Sequence, residues 1–126
     1  MEEQQQETTF VFKHHFTYLT VIRPTTLEKL TNVLEGHPFV TTLSLNAPVA
    51  RTPTNFKTLP PVCNLVISEE ATMTVPTENA FIILLFEDSL ISVCAVQFCV
   101  SDKTRLKKLR YLKLETIYFH YKCNMR

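Results

Sequence analysis

The chain has 126 residues, 45% of them hydrophobic and 20% charged, and a formal net charge of +1. That size suits one domain able to bury its own core without a metal or disulfide, and the composition is far from that of a disordered chain. Gly36 is the single glycine, where average usage gives roughly nine, so glycine-rich phosphate loops and a GxSxG nucleophile elbow are excluded.

Residues 1–8 read as a polar, disordered tail and 9–126 as a single domain. From Phe10 to Ile22 apolar and polar residues alternate, as in one long strand. Both of its faces turn polar around Lys13–His15, where a bend or bulge is expected. Arg23-Pro24 stops the strand. Thr25 stands three residues before Glu28 as a capping box. Leu27, Leu30, Val33 and Leu34 then share one face of a helix over about 26–35, closed by Gly36 at the C′ position.

A second strand follows, with Phe39, Thr41, Leu43 and Leu45 on one face. Residues 47–61 hold four of the seven prolines and read as a long surface loop. A third strand is expected at about 62–68, with a short return at 71–75. Phe81 to Phe86 is a continuous apolar run, read as a strand paired through a tight connection with a strand at 90–100 to form a central hairpin. Leu106, Leu109 and Leu112 allow a second helix at about 103–112, the alternative being a strand that begins near Tyr111. A last strand alternates over 117–123. The expected class is α+β: a mixed, mostly antiparallel sheet of 5–7 strands, with the option of curling toward a barrel, and no internal repeat.

The four cysteines, Cys63, Cys94, Cys99 and Cys123, contain no CxxC, and the four histidines form no paired ligand pattern. No metal and no cofactor are expected. His14 and His15 point to opposite faces of a strand, with His14 on the apolar face as a core histidine. The two aspartates, Asp88 and Asp102, fall at expected turns, where capping is their ordinary role. No catalytic constellation emerges, and the reading is a non-enzyme. The start, Met1 to Glu7, is acidic and polar where an export signal needs a basic and then an apolar run. The longest apolar run is far shorter than the ~20 residues of a membrane span. The expected location is cytoplasmic or nuclear, away from membranes.

Two surfaces carry functional information. The 81–100 hairpin is apolar on both sides, so it is expected to be covered by a larger protein partner or a second copy of the chain. From Lys103 to the end, eight basic residues face one acid, Glu115, a local charge of +7 in a chain of +1. Lys103, Arg105, Lys107, Lys108, Arg110 and Lys122, with Tyr118 and His120 interleaved, are the candidate binding residues. Cations beside stacking aromatics suit an acidic protein surface or a single nucleic-acid strand. The function that follows is a non-catalytic protein-interaction subunit or adaptor. The alternative is an OB-like module for single-stranded DNA or RNA.

Overall fold

The computed structural model describes residues 8–55, 58–68, 71, 80–95 and 106–114. Among these residues, eight strands and two helices run in the order β1 (Phe10–Lys13), β2 (Tyr18–Val21), β3 (Thr25–Thr26), α1 (Leu27–Glu35), β4 (Thr42–Leu45), β5 (Val49–Ala50), β6 (Asn64–Ile67), α2 (Ala80–Leu85), β7 (Ser92–Ala95) and β8 (Tyr111–Leu114). Six strands form one sheet in the order β1-β2-β4-β6-β7-β8, and β3 pairs with β5 in a second, two-stranded sheet. The α+β class and the mixed sheet stand. Among the described residues the sheet is open, with β1 and β8 at its two edges, and it is not closed into a barrel or in an OB order.

The pairing departs from expectation. Only β1 and β2 are antiparallel; β2-β4, β4-β6, β6-β7 and β7-β8 are all parallel. The parallel strands start at Tyr18, Thr42, Asn64, Ser92 and Tyr111, so successive starts lie 24, 22, 28 and 19 residues apart. Each strand therefore returns to the same sheet beside its predecessor in chain order, as in a solenoid. Such a return needs a crossover of a dozen or more residues, which these spacings supply.

Register makes the repeat visible. Leu19, Leu43, Leu65, Val93 and Leu112 stand side by side, as do Val21, Leu45, Ile67, Ala95 and Leu114. β1 extends both columns with Phe12 and Phe10. Two residues before a strand comes a further apolar residue: Val40, Val62 and Leu90 are fully buried, and Leu109 packs against the same core. The unit is apolar-x-x-apolar-x-apolar. Between the buried columns the backbone bonding also repeats, with the N–H of Thr41, Cys63, Ile91 and Arg110 donating to the carbonyl of Thr17, Thr41, Cys63 and Ile91 respectively, at 2.8–2.9 Å. The core thins at its far edge, for Leu112 is 38% exposed where the other members of its column from Leu19 to Val93 are at most 1% exposed.

The helices close the apolar face. Leu27, Leu30 and Leu34 of α1 and Ile82 and Ile83 of α2, with Phe86 just beyond it, join one continuous core with the strand columns. The run Phe81 to Phe86 is thus largely helical, not a strand, and no hairpin forms with β7. An unbroken apolar hexamer suits a buried helix as well as a buried strand, and here the sheet already has its strands while its apolar face lacks a cover. Ser89 fastens this turn to the sheet by donating to the Val62 carbonyl at 2.7 Å. The hairpin expected to carry a partner surface is not formed, and residues 96–100 of its second strand lie outside the described residues. The expected helix at 103–112 is not formed over its described part: residues 106–110 are a turn, and the strand begins at Tyr111.

Local corrections follow the same logic. The long first strand is two strands folded back at His14–Thr17, where the polar break lies. His14 is exposed in that turn and is no core histidine. Val40, not Phe39, enters the core; Phe39 is 72% exposed. The helix cap is Thr26, one residue later than the capping box implies: its hydroxyl accepts from the Lys29 N–H at 3.2 Å. The proline loop supplies a second cap, Thr52, whose hydroxyl accepts from the Glu28 N–H at 3.1 Å. Gly36 closes the helix in an ordinary right-handed conformation, φ −86°, so its role does not require glycine. The return expected at 71–75 and the last strand at 117–123 lie outside the described residues, apart from Ala71.

The displaced cap gives an opposed pair of expectations. Thr26→Ala loses the N-cap bond and should lower stability by about 1 kcal/mol. Thr25 carries a buried hydroxyl oxygen with no hydrogen-bond partner, and Thr25→Val, which removes it while keeping a β-branched strand residue, should raise stability by about 1 kcal/mol. Denaturant titration reads both; loss of stability in Thr25→Val with none in Thr26→Ala would restore Thr25 as the cap.

Candidate functional site: the open face of the sheet

Alternation sends every second strand residue away from the helices. Register groups these residues into two rows that cross all six strands. One is Lys13, Tyr18, Thr42, Asn64, Ser92 and Tyr111; the other is Val11, Thr20, Ser44, Val66, Cys94 and Lys113. Both helices belong to the core on the opposite side. Among the described residues, the rows are therefore the sheet's uncovered face. Their middle is uncharged and hydrogen-bonding, with Asn64 Nδ2 donating to Thr42 Oγ1 at 3.2 Å. Thr20 and Ser44 are buried, at 9% and 6% exposed, whereas Tyr111 at the edge is 67% exposed.

The β1 end of this face has a shape. Val11, Lys13, His14, Tyr18, Thr20 and Ser44 border a shallow depression of about 430 Å³. The turn that builds it is unusual. His14, His15 and Phe16 all have positive φ, 55°, 57° and 68°, a left-handed run that side chains other than glycine adopt only at a cost. Two hydrogen bonds and two ring contacts hold it. Thr17 returns both its N–H, at 3.2 Å, and its hydroxyl, at 2.7 Å, to the His14 carbonyl. Phe16 packs on Phe12 and on the His37 ring, centroids 5.2 and 5.6 Å apart. His37 is itself anchored at the end of α1, its Nδ1–H donating to the Val33 carbonyl at 2.8 Å.

Of the basic residues singled out in the sequence, the structure gathers Lys107, Lys108 and Arg110. With Ile91 and Leu109 they line a depression of about 500 Å³ at the entrance to β8. All three cations are exposed. Lys103, Arg105, Tyr118, His120 and Lys122 lie outside the described residues. The rows on the open face, Lys13, Tyr18, Thr42, Asn64 and Lys113 among them, were missed as a site. The signal was present as the outward positions of each x-apolar-x-apolar strand, but it gains meaning only once the strands are known to be parallel and in register.

Among the described residues, no group of three or more His, Cys, Asp or Glu side chains is placed to hold a metal ion. No described helix is long and apolar enough to cross a membrane. Comparison with family models, with curated proteins and with solved structures finds no match for the chain.

The left-handed turn can be probed directly. His15 is exposed, and His15→Gly removes the steric penalty of a left-handed side chain, about 1–2 kcal/mol, against an entropy cost of about 0.5–1 kcal/mol for glycine. Thermal unfolding should show the variant stabilised by up to about 1 kcal/mol; a clear destabilisation would place His15 in an ordinary strand conformation.

Proposed function

We propose that the chain is a non-catalytic protein-interaction module of the cytoplasm or nucleus, a short solenoid that binds its partner on the open face of the sheet. The single observation behind this is the pair of side-chain rows, largely polar and ending in a lysine at each edge, that no described element covers across six strands while both helices pack on the opposite face. Solenoids stack repeats in this way and present the resulting extended surface to partners. The unit apolar-x-x-apolar-x-apolar, recurring at 19–28 residues, resembles the leucine-rich repeat, in which one strand per repeat lines the binding face. Strand backbone groups inside the sheet are already paired, so recognition falls to side chains. Tyr18 and Tyr111, large and able to hydrogen-bond, suit the anchoring role that aromatics take at interfaces.

A second reading keeps one observation in its favour. Lys107, Lys108 and Arg110 line one depression, and Tyr111, the next residue in the chain, is exposed, a combination that suits a single nucleic-acid strand.

Tagged chain purified from its native cells separates the two. Asn64→Arg in the middle of the face should abolish co-purification of the main protein partner, while Asn32→Arg on the exposed side of α1 should leave it intact. If Asn64→Arg retains the partner, the open-face reading fails. Under the second reading Lys107, Lys108 and Arg110, all changed to Ala, should weaken binding to any oligonucleotide and flatten its salt dependence by roughly one unit per lost phosphate contact. Oligonucleotide binding that is weak and unaffected by those changes rejects it.

A further inference from the structure

Resting on the open-face reading, we infer that the partner is an acidic protein segment laid across the strands and clamped at its two ends by Lys13 and Lys113. Register puts these lysines at opposite edges of the face, on β1 and β8, and both are exposed. Strands stand about 4.8 Å apart, so the five steps from β1 to β8 separate them by about 24 Å. None of the twelve residues in the two rows is acidic, and no other is cationic. The described acids, Glu28, Glu35, Glu87 and Asp88, belong to α1 and to the turn after α2, the elements of the sealed side. Among the described residues, the face thus carries a cation at each end and no charge between them. His14 beside Lys13 and Arg110 beside Tyr111 add donors at the same two ends.

This spacing distinguishes an acidic peptide from a nucleic acid. Stacked as in a helix, one nucleic-acid strand carries a negative charge about every 3.4 Å of its axis. Laid across about 24 Å it would set about seven phosphates over two terminal cations, most of them above Thr42, Asn64 and Ser92, which offer no charge. An extended peptide spans the same distance in about seven residues. It needs carboxylates only near its ends, with small polar or aromatic side chains between them to meet the hydroxyls and the Asn64 amide.

A random-sequence peptide library panned against the full-length chain tests this, with affinities of the enriched peptides measured by fluorescence anisotropy. The expected winners carry Asp or Glu near both ends of an uncharged centre. Their binding should be lost in Asn64→Arg. It should fall about tenfold or more in the Lys13→Glu, Lys113→Glu double variant, an effect that shrinks with added salt. Lys13→Met with Lys113→Met, which keeps the apolar stems, should fall less but in the same direction, and it serves if the double reversal fails to fold by circular dichroism. Enriched peptides that are neutral or basic yet still lost in Asn64→Arg would overturn the acidic partner and leave the open-face reading standing. Enriched peptides indifferent to Asn64→Arg would overturn both. A thymidine oligonucleotide that outcompetes every enriched peptide, and is released by the double reversal, would overturn the acidic segment in favour of nucleic acid.

Discussion

Everything in this fold depends on the lateral stacking of two apolar columns. A strand of four residues with two inward side chains cannot bury them alone, and it gains a core only from the strand on either side and from the helices behind. Leu43 is fully buried because Leu19 and Leu65 flank it and α1 and α2 close the layer. The fully buried leucines of such a column each contribute on the order of 2–5 kcal/mol, judged by the cost of truncating core leucines. The same dependence explains the edges. At one end, β1 folds back antiparallel and extends the columns with Phe12 and Phe10. At the other, Leu112 has a neighbour on β7 and is left partly exposed.

Much of the outline was legible in the sequence. The first helix announced itself through its apolar spacing and its polar start, and it lies within a residue of the expected bounds. The third strand, the break at Lys13–His15 and the alternative strand at Tyr111 were readable too. What escaped was pairing direction. An x-apolar-x-apolar tetrad fits a parallel or an antiparallel neighbour equally well, and the repeat hides behind unequal spacing and behind Val93 and Ala95 standing where leucines stand elsewhere. The hexamer at 81–86 shows the other limit. Its side chains are all apolar, so no periodicity can choose between strand and helix, and the choice is made by what the sheet still needs on its buried face.

The proposed binding face is the complement of that packing. Once alternate residues of each strand are committed to the core, the remainder are forced into rows on the far side. The rows hold hydroxyls, an amide, a thiol, two tyrosines and two valines, with a lysine on each end strand. The basic cluster at Lys107, Lys108 and Arg110 sits at one end of this surface, where the sequence had placed cations without being able to say what they border.

Parallel stacking is the claim on which the rest stands, and amide-to-amide magnetisation transfer measured by NMR on the labelled chain tests it most directly. The account predicts contacts between neighbouring strands in one direction and register, Leu43 against Leu65 and Val66 against Cys94, with sequential helical amide contacts along Ala80–Leu85. Cross-strand contacts running in opposite directions between 81–86 and 91–96 would contradict it, restoring a hairpin in place of the helix and dissolving the face described above.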